Sequence, residues 1–518
     1  MSFNKIAVTR VIRDHREVAG RTPVLVGVGL EGQRIAEPLH AAEPLTLMRR
    51  ATAAAAQDAG KPEVLEEIDR VYVPKGRWRY RDPGRAIATS CGAAKATSVL
   101  ARVGVLQESL LADACTKIID GAADVCLITG GEAGFRLLCA TKRGLELDDE
   151  QQVTEPDEVW RADSSIMLPE EIAAGLGQDA VGAYAIIATA ARAARGQSVD
   201  DDLSDTAALY SGLSEIAARN PYAWKRSPVS VDAVTSDAPD NPVIAFPYRN
   251  EHVSRWSVDQ ASALLLTSVD KAQQLGIDPS RWIYPVSSAL SNAMVPLTRR
   301  NNLGEAPGAR QAAAAALDHA EMTAQACDLV ELYSCFPIAI QSHAAALGLA
   351  SDTPIPSFMG GMRYAGGPFN NFVLHATAQL ALLLRDTDQT GLISSVSGVL
   401  TKQAFSVWSA LPAQNQFESF DVSNAFLSQC PPKELAENYV GTASIVGYTV
   451  LAPPKSEPGQ ARAIAVTETP DGRRMILSND SSSLAGAMMT EEFCGRQVRV
   501  VGNGTFDVAG CPITLGNK

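Results

Sequence analysis

A cysteine and a glycine-rich loop, about thirty residues apart in the second half of this chain, are its best candidates for chemistry. Residues 331–336 read Glu-Leu-Tyr-Ser-Cys-Phe, and residues 360–368 read Gly-Gly-Met-Arg-Tyr-Ala-Gly-Gly-Pro. Cys335 follows an apolar run, so its thiol could act as a nucleophile or as an acid and base if its pKa is adjusted. The alternative is that Cys335 is a small buried apolar side chain. Gly367 leaves room for a ligand and could offer a backbone N–H.

Aromatic and cationic residues in the middle of the chain suit the binding of a nucleotide. Trp224, Lys225 and Arg226 are consecutive, and Arg249 follows Tyr248 further along. An aromatic ring can stack on adenine, and a guanidinium group can bind phosphate through two hydrogen bonds. Exposed cations on a loop are usually solvated and nothing more, so that alternative stands beside the first.

His375 is a further candidate, because it lies near the start of a predicted helix after the glycine-rich loop. Its imidazole could take part in proton transfer. A single histidine on such a helix is more often structural, and both interpretations are kept. Six scattered histidines form no metal-ligand spacing with the cysteines, so no metal site is predicted.

These candidates lie on two successive runs of alternating strands and helices. The first run has predicted strands at residues 23–29, 70–74, 124–131 and 261–268, with helices at about 44–59 and 107–120. The second has predicted strands at 282–288, 327–332 and 391–398, with helices at about 309–326 and 373–385. Apolar strands that alternate with helices predict a parallel sheet covered on both faces, and so an α/β fold. The similar order of the two runs suggests an internal duplication.

Two further regions differ in character from these runs. Residues from about 155 to 248 form a polar insertion within the first half, which spans residues 1–281. The second half spans 282–430 and ends at two consecutive prolines. Beyond them, apolar segments at 443–451, 461–469, 475–479 and 497–501 alternate with turn residues. The sequence therefore predicts a small all-β domain, a barrel or a meander, at residues 433–518.

Length and charge limit the classes of function. A chain of 518 residues is too long for one core, so two or three domains are expected. A formal net charge of −13 argues against broad binding to nucleic acid or to anionic membranes. Residues 1–21 contain no apolar run, so we expect neither a signal peptide nor a transmembrane segment. Nine cysteines without paired spacing favour reduced thiols and a cytoplasmic location.

The motifs around Cys335 and Gly367 resemble the C-terminal active-site loops of the thiolase superfamily. In that family a Cys- or Glu-bearing loop faces a Gly-Gly-x-x-x-x-Gly-His-Pro loop. The resemblance implies a duplicated five-layer αβαβα body over roughly residues 20–430. It also implies binding of coenzyme A thioesters, which thiolases join or cleave by Claisen chemistry. The insertion would then make much of the coenzyme A contact.

Two elements of the family's catalytic set are absent from the expected places. The family's nucleophilic Cys starts a helix, which begins here near Gly104 in a stretch without cysteine. Cys91 imitates a nucleophile motif but lies about a dozen residues too early. The family's second Cys, near the last strand, is Val396 in this chain, although Gly398 is kept and could offer a backbone N–H.

The other two elements are changed as well. Gly367 stands where the family has the His of Gly-His-Pro, which helps to bind the thioester oxygen. Tyr333 and Ser334 replace the His and Asp of the His-Asp-Cys-Phe motif found in sterol-carrier-type thiolases, and Cys335 is retained. Loss of one such oxyanion donor typically costs about two to three orders of magnitude in rate. Ordinary thiolysis is therefore not expected.

The whole arrangement resembles the actinobacterial thiolase-like proteins of type 1, which add a C-terminal domain like an oligonucleotide-binding (OB) barrel. The resemblance implies an acyl-CoA C-acyltransferase of lipid metabolism with no tightly bound cofactor. Its catalytic candidates are Cys335, Tyr333, Gly367 and His375. Candidates for contact with coenzyme A or acyl-CoA are Gly104, Gly398, Trp224, Lys225, Arg226 and Arg249.

Two interpretations of function remain. One is altered chemistry on an acyl-CoA, such as a decarboxylating or retro-aldol step that needs no acyl-enzyme. The other is a non-catalytic acyl-CoA- or partner-binding protein that uses the β domain as an interaction module. The family implies a homodimer, whereas the added domain would permit a monomer. Nucleic acid is not an expected partner, since few aromatic residues in the β domain could stack on bases.

Overall fold

The structure is a computed structural model, and it describes residues 18–163, 165–177, 180–350, 355–453, 459–502 and 504–508. The expectations for the segment before residue 18 and for the end of the β domain after residue 508 lie outside these residues. Within the described ranges, no helix is long and apolar enough to cross a membrane.

A six-stranded mixed sheet forms the first half of the body. Its strands are β1 (Pro23–Gln33), β2 (Arg70–Pro74), β3 (Thr97–Ala101), β4 (Val125–Ala133), β5 (Glu158–Trp160) and β8 (Asp259–Ser268). Their order is β1-β8-β4-β2-β3-β5, and β8 runs antiparallel to both β1 and β4. The prediction of a fully parallel sheet is therefore wrong at β8. Every residue of β8 is buried, and an apolar run of this kind does not encode strand direction.

A five-stranded sheet repeats this order in the second half. Its strands are β9 (Tyr284–Ser291), β10 (Leu329–Glu331), β11 (Thr390–Ser397), β12 (Lys402–Ser409) and β13 (Glu418–Asp421). Their order is β10-β11-β12-β9-β13, with β12 antiparallel to β11 and β9. The neighbours β9-β12-β11-β10 thus match β1-β8-β4-β2 of the first sheet, as an internal duplication would produce.

Helices form three layers around these two sheets. Those of the two halves are α1 (Pro44–Asp58), α2 (Pro83–Ser90), α3 (Gln107–Ile119), α4 (Gly134–Arg143), α9 (Val269–Gln274), α10 (Pro307–His319), α11 (Pro337–Ala346), α12 (Gly361–Tyr364), α13 (Phe372–Leu384) and α14 (Ser423–Gln429). α3 and α13 contact strands of both sheets and form the central layer, whereas α1 and α2 cover the first sheet and α10 covers the second. The body therefore has the five layers αβαβα.

The segment between β5 and β8 contains an apolar helix, although its overall composition is polar. Its elements are α5 (Pro169–Ala174), α6 (Val181–Ala194), α7 (Val199–Arg219), α8 (Val231–Thr235), β6 (Val243–Ala245) and β7 (Tyr248–Arg249). The prediction of a polar insertion is wrong for α6, which is buried from Val181 to Arg192. This helix packs between the body and the C-terminal strands, and an apolar helix surface is stable only when covered.

The C-terminal strands close into a five-stranded barrel. They are β14 (Gly441–Leu451), β15 (Arg462–Glu468), β16 (Arg474–Asn479), β17 (Gln497–Gly502) and β18 (Thr505–Asp507), with α15 (Ser482–Met488) between β16 and β17. The order around the barrel is β14-β15-β16-β18-β17, and β17 pairs again with β14. The Thr189 hydroxyl donates to the Tyr448 carbonyl oxygen at 2.7 Å, and β6 pairs with β14. These contacts attach the barrel to α6 and to the segment before β8.

The close approach of α1 to β1 gives a test of this packing. A Cβ at Gly29 would overlap the Ala51 carbonyl oxygen of α1, whereas a Cβ at Gly32 meets nothing closer than 3.6 Å. We expect Gly29→Ala to lower the free energy of unfolding in urea by about 1–3 kcal/mol, because the helix must move away from the strand. Gly32→Ala is the matched control and should be neutral or slightly stabilising. Equal effects of the two substitutions would contradict this packing.

Candidate functional site

The buried carboxyl group of Glu331 joins the two motif-bearing loops. Glu331 ends β10, and its Oε2 accepts hydrogen bonds from the Phe358 and Met359 backbone N–H groups at 2.8 and 3.0 Å. The Ser357 hydroxyl donates to the same carboxyl group at 3.0 Å. Burial raises the pKa of Glu331 to about 8, against the lowering effect of these donors. The glycine-rich loop is thereby fixed beside the strand that leads to Cys335.

Cys335 lies in an aromatic environment that keeps its thiol protonated. It is 8% exposed, and the Tyr184 phenol of α6 is an electrostatic neighbour of its thiol. Phe336 stacks on Tyr184 with ring centroids 4.4 Å apart. Burial raises the pKa of Cys335 to about 12. A thiol in this state is a poor nucleophile near neutral pH.

Two adjacent glycines of the loop differ in what the backbone requires of them. Gly366 has φ of +110°, and a Cβ there would overlap the Gln260 side-chain oxygen, so glycine is required. Gly367 has no such φ, and a Cβ would lie 3.3 Å from the Arg255 carbonyl oxygen. The Gly367 N–H donates to that same carbonyl oxygen at 3.0 Å, so it is not free to bind a ligand oxygen.

The start of α3, where the nucleophile was sought, is occupied by other side chains of the chain. The ammonium group of Lys402 lies 3.3 Å from the Gly104 carbonyl oxygen and 3.2 Å from that of Asp163. Burial lowers the pKa of Lys402. The carbonyl oxygen of Gly398 accepts a hydrogen bond from Arg300 at 3.4 Å. Each glycine carbonyl oxygen thus accepts a hydrogen bond from a basic side chain, Gly104 from Lys402 and Gly398 from Arg300.

A cavity of about 340 Å³ lies at the carboxyl end of β1 and the amino end of β8. His375 lines it and is 3% exposed, and neither of its ring nitrogens has a hydrogen-bond partner among the residues that the structure describes. Burial lowers its pKa to about 4, so the imidazole is neutral at neutral pH. Gln260 lines the same cavity, and its side-chain oxygen also has no partner within the described structure. Buried polar atoms without partners indicate a place for a polar ligand or for water.

Trp224 and Arg226 line this cavity together with His375. The backbone N–H groups of Trp224 and Lys225 donate to the Ala365 and Tyr364 carbonyl oxygens at 3.0 and 2.8 Å, which holds the segment against the glycine-rich loop. The structure thus brings together residues that are 150 positions apart in sequence. Their convergence makes the cavity the best candidate for a binding site.

The remaining predicted cations are engaged elsewhere. Lys225 lies over the Tyr364 ring, with its ammonium nitrogen 3.9 Å from the Glu251 carboxylate. Arg249 forms an ion pair with Asp237 at 2.9 Å and donates to the Asn241 carbonyl oxygen. Neither residue lines the cavity.

Several residues of the site were missed from sequence. Gln260 lies within the apolar run of β8, Arg34 and Tyr222 line the cavity, and Tyr184 lies on α6. Arg34 and Trp224 stack with 5.4 Å from the guanidinium carbon to the ring centroid. A polar residue within an apolar strand, as at Gln260, is the one signal in the sequence that could have identified such a residue.

Among the described residues, no group of acidic, His or Cys side chains could hold a metal ion.

No protein-family model matches the chain, and none of the curated proteins matches it in sequence. Solved structures do match. The monomeric SCP2-thiolase-like protein type 1 from Mycobacterium smegmatis is 26% identical with a TM-score of 0.80, and the match covers 95% of this chain and all of the other. The Ltp2-ChsH2(DUF35) aldolase is 16% identical with a TM-score of 0.57, covering 75% and 98% of the two chains. Human mitochondrial 3-ketoacyl-CoA thiolase in complex with CoA is 17% identical with a TM-score of 0.51, covering 76% and 99%.

These matches confirm the predicted resemblance to the thiolase superfamily and to the thiolase-like proteins of type 1. The human thiolase is matched over 76% of this chain, and the type 1 protein over 95%. The type 1 protein is therefore similar to this chain over a greater share of its length than the human thiolase is.

The reactivity of Cys335 tests the geometry of its loop. With a pKa of about 12, only about one thiol in ten thousand is ionised at pH 8, so iodoacetamide should leave Cys335 unmodified in the folded protein. Cys139 and Cys430 are half-buried and serve as internal references. Peptide mass spectrometry should find Cys335 alkylated only after unfolding in urea. Fast alkylation in the folded state would show an activated thiol.

Proposed function

We propose that this protein binds an acyl-CoA thioester in the cavity beside His375 and cleaves a carbon–carbon bond without forming an acyl-enzyme. The observation that carries the proposal is the cavity itself. It combines Trp224 and Arg226 with the unpartnered His375, in a fold that resembles thiolases. A volume of about 340 Å³ is within the usual range for small-molecule sites.

The chemistry of the cavity walls supports a coenzyme A ligand. Arg34 and Arg226 can pair with phosphate oxygens, and the Trp224 ring can stack on adenine. One structure of similar fold is a human thiolase in complex with CoA. The thioester end would then enter toward His375, where neutral and buried groups replace water.

Acyl transfer through a cysteine is not supported by the site. The start of α3 carries Leu106 and Gln107, and the Gln107 side chain already accepts a hydrogen bond from the Val373 N–H at 3.0 Å. Cys335 keeps its proton near neutral pH because it is buried. Val396 has no group that could transfer a proton. These features favour a reaction in which the enzyme never becomes acylated.

A retro-aldol step on a 3-hydroxyacyl-CoA meets this condition. The neutral imidazole of His375 would take the proton of the 3-hydroxyl group, the bond between the second and third carbons would break, and an aldehyde would leave. The electron pair would pass to the thioester as an enolate, which regains a proton from the imidazolium at its second carbon. A match of similar fold is an aldolase.

Tyr333 is a further candidate donor to the thioester oxygen, although it is not among the residues that line the cavity. Burial raises the pKa of its phenol above the usual value, so the hydroxyl keeps its proton and can donate a hydrogen bond. Its ring packs edge-on against Phe372, in the first turn of the helix that carries His375, with centroids 5.5 Å apart. The two candidate groups therefore lie against the same end of α13.

A second candidate function is partner binding through the C-terminal barrel. The strand order β14-β15-β16-β18-β17, with a helix before the fourth strand in sequence, favours an OB-like barrel. A groove of about 670 Å³ runs between this barrel and α5. We also propose a monomer, because the short strand β5 pairs with β3 and leaves only three residues of strand at this edge of the first sheet.

Binding of free coenzyme A and acetyl-CoA by calorimetry tests the site. Arg226→Ala and Trp224→Ala should each raise the Kd at least tenfold, a loss of roughly 1.4 kcal/mol, because each removes a wall of the cavity. Arg249→Ala is the matched control, since Arg249 pairs with Asp237 outside the cavity. No binding by the unmodified protein, or an equal loss in the control, would contradict the proposed site.

Intact mass and aldehyde release test the chemistry. Incubation with acetyl-CoA or acetoacetyl-CoA should leave the protein mass unchanged, and Cys335→Ala should behave in the same way. A 3-hydroxyacyl-CoA should release an aldehyde, and His375→Ala should reduce that rate at least a hundredfold. A covalent acetyl adduct that disappears in Cys335→Ala would instead show acyl transfer through that thiol. Binding without aldehyde release would favour the non-catalytic function.

A further inference from the structure

A second, smaller cavity lies where the loop before α10 meets the turn between β11 and β12. Its volume is about 40 Å³, and its walls combine apolar side chains such as Ile187 and Phe426 with the polar side chains of Arg300 and Gln403. Because one water molecule needs roughly 10–15 Å³ of such space, the cavity has room for a small ion and not for a nucleotide. The residues that line it all differ from those that line the cavity beside His375, so the two sites are separate.

The amino end of α10 brings an uncapped backbone N–H group to this cavity. Pro307 is the first helical residue, Ala306 before it supplies no side-chain cap, and Gly308 lines the cavity. Among the described residues, nothing accepts a hydrogen bond from the Gly308 N–H. The one acid that lines the cavity, Glu305, is exposed and pairs with Arg310 at 3.6 Å. The positive end of a 13-residue helix therefore borders the cavity, and such an end favours an anion.

Arg300 adds a full positive charge, and within the described part of the chain no carboxylate forms an ion pair with it. Its guanidinium group donates to the carbonyl oxygens of Val295 and Gly398 at 3.2 and 3.4 Å. The buried Glu171 carboxylate acts on Arg300 from a distance and already accepts two hydrogen bonds from Thr298, at 2.7 and 2.8 Å. Burial lowers the pKa of Arg300 to about 10. A buried charge without a paired opposite charge is costly, and a bound anion removes that cost.

Gln403 adds an acceptor, and this acceptor decides which anion fits. Gln403 is 2% exposed, and its Nε2 donates to the Leu400 carbonyl oxygen at 2.8 Å, which leaves Oε1 as the free group. Oε1 has no hydrogen-bond partner among the residues that the structure describes. An amide oxygen can only accept, so an anion beside it must carry an O–H group of its own. Sulfate has no such group, whereas hydrogen phosphate keeps one at neutral pH.

We infer that this cavity is a binding site for inorganic phosphate in its hydrogen phosphate form. The Arg300 guanidinium and the Gly308 N–H donate to the charged oxygens, and the phosphate O–H group donates to Gln403 Oε1. A phosphate monoester fits less well, because its second pKa is about 6 and its dianion at pH 8 has no O–H group left. The inference does not rest on the proposed thioester site.

The turn beside this site has an unusual backbone conformation. Gly398, Val399 and Leu400 are consecutive residues with positive φ, and values of +56° and +60° are unfavourable for Val399 and Leu400. Leu400 lines the cavity, and Arg300 donates to Gly398 at the start of the same turn. Phosphate that binds Arg300 therefore also supports this turn, and it should raise the melting temperature of the protein.

Calorimetric titration of inorganic phosphate at pH 8, in about 0.15 M chloride, tests the inference. Sulfate, which resembles phosphate in size and charge, and glycerol phosphate, a monoester, are the comparison anions. We expect the Kd for phosphate to be at least tenfold lower than the Kd for either of them, because a buried acceptor rejects an anion that cannot donate to it. In thermal melts, phosphate should raise the melting temperature more than sulfate does at equal concentration.

Substitutions separate the acceptor from the positive groups. Gln403→Leu should bring the Kd values for phosphate and sulfate within threefold of each other, since it removes the group that distinguishes them. Arg300→Gln should raise the Kd for phosphate at least tenfold, because it removes the charge. Gln311→Leu and Arg299→Ala are the matched controls and should change that Kd less than twofold, since neither residue lines the cavity.

The other possible results contradict the inference. If phosphate does not bind, the inference is wrong and the thioester proposal is untouched, because the two cavities share no residue. Equal affinities of the unmodified protein for phosphate and sulfate would show that Gln403 selects nothing and would overturn the assignment. Phosphate binding that persists in Arg300→Gln but disappears in Arg226→Ala would place the ion in the cavity beside His375. If a variant does not melt cooperatively, the comparison of the three anions on the unmodified protein decides.

Discussion

The hydrogen bonds to the Glu331 carboxyl group are the interaction on which the site depends. They fix residues 357–359 beside the end of β10, and from there the chain enters the glycine-rich loop. The Ser334 hydroxyl adds a second link by accepting from the Met362 N–H at 3.0 Å. A buried carboxyl group without these donors would be strongly destabilising, so loop geometry and folding are coupled at this residue. The start of the glycine-rich loop is thereby held beside the segment that leads to Cys335.

This arrangement preserves the backbone of a thiolase-like site while the reactive side chains differ. Gly366 is required by its positive φ and by the Gln260 side chain beside it, whereas Gly367 is not required by its φ. The backbone conformation therefore does not demand glycine at position 367, although a Cβ there would approach the Arg255 carbonyl oxygen to 3.3 Å. Lys402 donates to the Gly104 carbonyl oxygen before α3, and Arg300 donates to that of Gly398. The proposed function takes this loop to carry a reaction different from that of thiolases.

Local pattern was sufficient to predict most elements of the two halves, including β4, α3 and α13, because their apolar runs and their boundary residues lie in one stretch of sequence. The direction of β8, the burial of α6 and the pairing of β5 with β3 were not predictable in this way. Each depends on what another part of the chain covers. The candidate site, too, depends on contacts between distant parts of the chain. His375 and Trp224 were identified as candidates, but their meeting with Gln260 in one cavity is a long-range result.

Burial divides the electrostatics of this region into a neutral interior and a charged opening. His375 and Cys335 are neutral at pH 7, because desolvation lowers the pKa of the imidazole and raises that of the thiol. The guanidinium groups of Arg34 and Arg226 remain at the opening, where water and anionic groups can reach them. A coenzyme A thioester is uncharged at its reactive end and anionic at its phosphate end. The thioester of the proposed function would therefore place its uncharged end in the neutral interior and its phosphates at the arginines of the opening.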